Sequence, residues 1–181
     1  MKKYRKHLLF SSEKIKNRVC SLGRELSKVY KGKNPLVISV LKGSVVFLSD
    51  LIRNFDFDFE LDFVHAQSYS AMLRGKLKVA GSLSCVVKNR RVLIVEDIAD
   101  SGRTLEAIIL SLKKQGAKDV KSCVLLDKPS VRKTQVVPNY IGFSVQNYFV
   151  VGYGLDYNGK FRGLPSIYRL KSDRQIKEGK K

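Results

Sequence analysis

These 181 residues are expected to form an α/β fold around a parallel-rich sheet. Leu36 to Leu41 and Val92 to Val95 are apolar on both faces and read as strands buried between two layers. Each is followed by a glycine-bearing turn and then by apolar residues at helical spacing. That order, repeated along a chain, implies parallel strands joined by helical crossovers.

Taken in order, residues 13 to 30 place Ile15, Val19, Leu22, Leu26 and Val29 at helical intervals, with Ser12 able to cap the start. After Pro35, Leu36 to Leu41 form a strand, and the Lys42-Gly43-Ser44 turn leads into a helix through Arg53. From Phe55 to Asp62 aromatic or aliphatic residues alternate with carboxylates, the period of a strand with a polar face, and Phe63 to Ala66 continue it. Ser68 to Gly81 hold small and basic residues without periodicity and read as a mobile loop. Strands are expected at Leu83 to Val87 and Arg91 to Val95, then a helix from Gly102 to Gln115 closed by Gly116. Ser122 to Leu126, Ile141 to Phe143 and Phe149 to Val151 supply the remaining strands.

The length suits one domain spanning 1–181, and a hydrophobic content of 44% is enough for a sizeable core. With no run of 18 apolar residues and no signal-peptide pattern, a cytoplasmic protein without a membrane span is expected. Cys20, Cys85 and Cys123 lie far apart without a C-x-x-C pair, which argues against a disulfide framework or a zinc site and for buried small apolar residues. The net charge is +19. No acidic residue occurs from Phe63 through Val95, and both termini are basic. Such a field is a solvated surface, steers anionic substrates, or binds nucleic acid non-specifically. The basic stretch 74–91 lacks the aromatic interleaving of a single-strand binding platform.

The most informative segment is VLIVEDIADSGRTL at 92–105. An acidic turn is expected between strand and helix, where open α/β sheets place their ligands. Ser101, Gly102, Arg103 and Thr104 would offer backbone N–H groups and two hydroxyls at a helix N-terminus, a favourable place for a phosphate. Glu96 and Asp97 would repel that phosphate unless they face a sugar diol or a magnesium ion. Together these features describe a ribose 5-phosphate.

This segment resembles the phosphoribosyl pyrophosphate signature of type I phosphoribosyltransferases, in the form used by hypoxanthine-guanine phosphoribosyltransferases. VLKGSVVFLSDLIR at 40–53, LDFVHAQSYS at 61–70, LLDKPSVRK at 125–133 and NYFVVGYGLDYNGKFRGLP at 147–165 extend the resemblance in family order. It implies the type I phosphoribosyltransferase fold, a core parallel sheet with a small hood built from the terminal segments, and a homodimer or homotetramer. The implied reaction is purine salvage: hypoxanthine or guanine and phosphoribosyl pyrophosphate give IMP or GMP and pyrophosphate, with Mg2+ required.

By the same resemblance, Asp100 is the general base near purine N7, and Ser68 and Tyr69 begin a flexible catalytic loop over about 68–81. Leu41, Lys42 and Gly43 form the pyrophosphate loop, with a cis peptide before the lysine. Glu96, Asp97 and Ile98 line the ribose side, with Glu96 and Asp97 near magnesium, and Ser101 to Thr104 hold the 5-phosphate. Lys128 donates to the purine 6-oxygen, Phe149 stacks on the base and the Val150 carbonyl accepts from its edge. Asp156 holds a second magnesium ion, and Arg162 and Arg132 meet pyrophosphate. The loop departs from the family pattern in Ala71-Met72-Leu73-Arg74 before Gly75. His7 and His65 are read as surface or packing residues. Two other readings were weighed: an RNA-binding regulator on the same fold, suggested by the charge, and an enzyme preferring xanthine or adenine.

Overall fold

The computed structural model describes residues 4–67, 78–80 and 83–172. Its strands are β1 (Tyr4–Phe10), β2 (Leu36–Leu41), β3 (Glu60–Gln67), β4 (Lys78–Ala80), β5 (Arg91–Ala99), β6 (Asp119–Asp127), β7 (Tyr140–Ser144), β8 (Val150–Val151) and β9 (Ile167–Ser172). Three helices are interleaved with them: α1 (Ser12–Tyr30), α2 (Val45–Ile52) and α3 (Arg103–Lys114). The main sheet runs β4-β3-β2-β5-β6-β7, parallel from β3 to β7, with β4 antiparallel at the edge. The expected parallel α/β architecture is therefore present.

Alternation along the central strands divides the core into two layers. Val37, Leu93, Val95, Cys123 and Leu125 face one way, packed with Ile15, Val19, Leu22 and Leu26 of α1 and Phe47 and Leu51 of α2. Leu36, Ile38, Val40, Val92 and Ile94 face the other way, against Leu105, Ile108 and Leu112 of α3. Fully burying each such side chain contributes about 1.5–3 kcal/mol, so the two-sided apolar runs are what anchor the sheet. β1, β9 and β8 form a separate three-stranded antiparallel sheet, the hood. It joins residues from both ends of the described chain. No described helix is long and apolar enough to cross a membrane.

Several expectations needed correction. α1 is capped by Ser11, whose hydroxyl accepts from Lys14 N at 3.2 Å, while Ser12 is already helical and its N–H donates to Ser166 Oγ. The strand expected from Phe55 starts only at Glu60, because β2 begins at Leu36 and offers no earlier partner. Phe55, Phe57 and Phe59 instead pack on one another, with the first two rings stacked at 4.4 Å. Residues 83–87 are not a strand: Ser84 N and Cys85 N donate to the Asp62 carboxylate at 2.7 and 3.0 Å instead of joining a ladder. The expected loop at 68–81 contains β4, and the rest of it lies outside the described residues. Neither β1 nor β9 was foreseen. Of the cysteines only Cys123 is buried, while Cys20 and Cys85 are half-buried. His7 and His65 are exposed, as expected.

Asp62 is the polar anchor of this edge. Burial alone would raise its pKa, but the backbone N–H groups of Cys85, Phe63 and Ser84 outweigh burial and hold the carboxyl below its ordinary value. A depressed carboxylate pKa stabilises the fold above the unfolded value, and that contribution is lost as pH falls through the folded one. Asp62→Asn is expected to cost about 1–3 kcal/mol in urea unfolding at neutral pH, with the deficit shrinking in acid. A deficit that does not change with pH would contradict this account.

Candidate functional site

The site originates in a divergence of two neighbouring strands. β2 and β5 pair in register from Leu36↔Val92 to Ser39↔Val95 and no further. Beyond that point β2 stays with β3 through Leu41↔His65, while β5 stays with β6 through Glu96↔Val124, Ile98↔Leu126 and Ala99↔Asp127. The strand order 3-2-5-6 reverses direction at this pair, which makes it the topological switch point of the sheet. A crevice opens where the ladder ends.

It is a cavity of about 390 Å3. Leu41, Lys42 and Gly43 line it from β2, and Glu96, Asp97, Ile98, Asp100, Ser101, Gly102 and Thr104 line it from β5 and the turn into α3. Asp156 and Arg162 reach it from the segment after β8. Glu96 and Asp97 thus sit on β5 itself, not in the turn, because pairing with β6 carries that strand to Ala99. The Leu41–Lys42 peptide is cis. Gly43 is required here: a Cβ on it would overlap the Asp97 carboxylate, and a Cβ on Gly154 would overlap the Gly43 carbonyl. Gly102, at φ +80, turns the chain into α3, whose N-terminal N–H groups have no side-chain cap. They are left for an anion.

The acidic wall is unusual. Glu96 is 6% exposed and its Oε2 has no hydrogen-bond partner. Burial, and then the neighbouring Asp97 charge, push its pKa up to about 8. Burial also raises Asp97 to about 6; its own N–H, that of Ile98 and the Arg162 charge act the other way, while Asp156 adds to the rise. Arg162 Nη2 pairs with Asp156 Oδ1 at 2.7 Å, and its Nη1 donates to Gly154 O at 2.6 Å. Among the described residues no three His, Cys, Asp or Glu side chains form a metal cage. The unpartnered Glu96 oxygen nonetheless suits a divalent cation that takes most of its ligands from substrate and water, as magnesium does.

Beside the cavity, Lys128 Nζ pairs with Asp100 Oδ2 at 3.0 Å; the lysine side chain is 8% exposed and the aspartate 53%. Phe149 is half exposed and meets Tyr157 edge-on at 5.3 Å, and Tyr157 OH shares a 2.8 Å hydrogen bond with Tyr4 OH. Val150 is buried beside it. Arg103 is exposed at the start of α3 and does not line the cavity. Ser68 and Tyr69 lie outside the described residues.

Arg132 does not line the cavity either. It turns inward to Asp127 Oδ1 at 2.5 Å and to Val136 O at 2.9 Å. The loop it holds braces the turn at 100–104: Lys128 N donates to Ala99 O, Lys133 N donates to Ser101 O, and a Cβ on Gly102 would overlap Thr134 Oγ1. Sequence reasoning missed Asp127, whose partner Arg132 is five residues on, and Thr134, Tyr4 and Tyr157, whose partners are distant in sequence.

Residues 9–158 match the phosphoribosyl transferase domain family. The chain is 43% identical over 166 residues to the hypoxanthine-guanine phosphoribosyltransferase of Bacillus subtilis, covering 91% of this chain and 92% of that one. It is 44% identical over 168 residues to the bifunctional protein TilS/HprT of Listeria monocytogenes, covering 92% of this chain but spanning only 26% of that longer protein. A crystal structure of a hypoxanthine phosphoribosyltransferase from Staphylococcus aureus superposes with a TM-score of 0.87 at 38% identity, covering 91% of each chain.

Two outcomes follow from the electrostatics. Between its ordinary pKa near 4.5 and the folded value near 8, Glu96 keeps a proton in the folded chain that the unfolded chain has lost. Its contribution to stability therefore falls as pH rises through that window, and Glu96→Gln should flatten the decline in Tm between about pH 5 and about pH 8. Arg132→Met would strand the Asp127 carboxylate, 4% exposed. Chemical denaturation should register a loss of about 3–5 kcal/mol.

Proposed function

The chain belongs to the phosphoribosyltransferase family, and we infer from its site that it transfers 5-phosphoribosyl from phosphoribosyl pyrophosphate to hypoxanthine or guanine, giving IMP or GMP and pyrophosphate. The observation that carries the choice of base is the Lys128–Asp100 pair set beside the acidic cavity and its phosphate turn.

The Ser101 to Thr104 turn and the N-terminus of α3 take the 5-phosphate. Glu96 and Asp97, on β5 ahead of that turn, face the ribose diol, which a carboxylate can accept from. The N–H groups of Lys42 and Gly43, with Arg162, hold the pyrophosphate. Phe149, half exposed at the hood, covers the purine face, and such stacking is worth about 1–3 kcal/mol per base. Lys128 carries only donors, so it favours a 6-oxygen and meets the 6-amino group of adenine as donor against donor. Asp100 accepts the proton the purine loses as its ring nitrogen attacks the anomeric carbon. Magnesium, held by Asp156 and by Glu96 or Asp97, would neutralise the charge gathering on pyrophosphate. Much of the remaining work is positioning and water exclusion.

Parallel assays with hypoxanthine, guanine, xanthine and adenine are expected to give magnesium-dependent nucleotide with the first two. Asp100→Asn should lower kcat by about 10²–10⁴-fold, the usual worth of general acid–base catalysis. Lys128→Met should narrow the preference over adenine; an enzyme that prefers adenine would refute the role of Lys128. Independently of turnover, magnesium should raise Tm more at about pH 8 than at about pH 5.5, because a carboxylate must shed its proton to bind the ion.

A further inference from the structure

Tyr4-Arg5-Lys6-His7 in β1 and Tyr168-Arg169-Leu170-Lys171 in β9 interleave aromatic and basic residues. The register sets Arg5 opposite Lys171 and His7 opposite Arg169. Directly opposed residues of an antiparallel pair share a face with Cβ atoms about 4.5–5.5 Å apart, and like charges placed there destabilise the sheet. One rung of the hood, Arg5 opposite Lys171, is therefore cationic on both strands, and the next rung sets Arg169 on the same face. Arg5 and His7 are exposed, and Arg169 and Lys171 are half-buried. No ion pair among the described residues engages Arg5, Arg169 or Lys171. The Arg169 guanidinium lies 3.9 Å over the Tyr148 ring, which orients it without neutralising it.

The other face of the hood is built differently. There Lys6 lies over the rings of Phe161 and Tyr168 at 5.6 and 5.8 Å, and Tyr4 bonds Tyr157. Most of the aromatic residues thus turn away from these two rungs, whose face offers charge with little to stack on. Solubility alone does not call for like charges on opposed positions. A polyanion laid across them would relieve the repulsion.

We propose that this face of the hood binds the phosphodiester backbone of single-stranded nucleic acid without reading its bases. A single strand fits better than a duplex, because the cations lie on a sheet face and not on a helix or ribbon that enters a groove. Arg169 pairs with Val150 of β8, so the basic face continues to the third strand of the hood.

The test is fluorescence anisotropy of a labelled oligouridylate with the full chain across a salt series. Arg5→Ser/Lys171→Ser removes one rung. Lys113→Ser/Lys114→Ser removes the same charge from the exposed end of α3 and serves as the control. The rung variant is expected to bind about tenfold more weakly, with the slope of log K against log salt smaller by about 1.4, or about 0.7 per lost contact. The control and Arg5→Lys should bind as the parent does. Tm of the rung variant should hold or rise as the repulsion disappears, and nucleotide formation should be unchanged. No binding at low salt, equal weakening in the control, or tighter binding of a duplex would each overturn the proposal.

Discussion

Everything functional in this chain follows from β2 and β5 ceasing to hydrogen-bond at Ser39 and Val95 while both strands run on. Their backbones remain satisfied because each has a second neighbour, β3 or β6. The gap between them therefore opens at little cost in hydrogen bonds, and it opens where two carboxylates follow a buried apolar run. Glu96 ends up nearly inaccessible with one oxygen unpaired, a position that costs stability.

The walls of that gap are tied to one another by backbone contacts. The Asp97 carboxylate lies against Gly43, the Gly43 carbonyl against Gly154, and the Thr134 hydroxyl against Gly102, and none of these three places has room for a Cβ. The Asp127–Arg132 pair holds the loop that also carries Lys128, and that loop bonds back to Ala99 and Ser101. The group assigned to the base and the turn assigned to the phosphate consequently move as one piece. Tyr4 of β1 bonds Tyr157, which meets Phe149 edge-on, so the first described strand helps to set Phe149.

The charge distribution has two scales. The chain is strongly basic as a whole, with a net charge of +19, yet the cavity between β2 and β5 has Glu96, Asp97, Asp100 and Asp156 in its lining. At long range such a field draws in polyanionic substrates; inside the cavity the helix N-terminus and Arg162 offset the carboxylates. The excess charge gathered on the hood is a separate matter, since Arg5, Arg169 and Lys171 are not among the residues that line the cavity.

The amino-acid sequence alone determined the α/β class, β2, α2, α3 and the cavity residues near β2 and β5, because those depend on short-range patterns: two-sided apolar runs, a glycine turn, and carboxylates that follow an apolar run; Asp156 and Arg162 came through the family resemblance. Through the family resemblance it also singled out Lys128 in the LLDKPS segment. Tertiary structure decided the rest. Phe55 to Phe59 alternate like a strand but have no neighbour to pair with, and residues 83–87 give their N–H groups to Asp62. Arg132 looked like a ligand for pyrophosphate, yet only folding revealed the Asp127 carboxylate waiting for it. The hood was expected from the family resemblance, but its strands β1 and β9 were not, because they meet across nearly the whole chain and such a pairing leaves no periodicity in either segment. Local pattern specifies which elements form; which of them become neighbours is settled by where buried groups find partners.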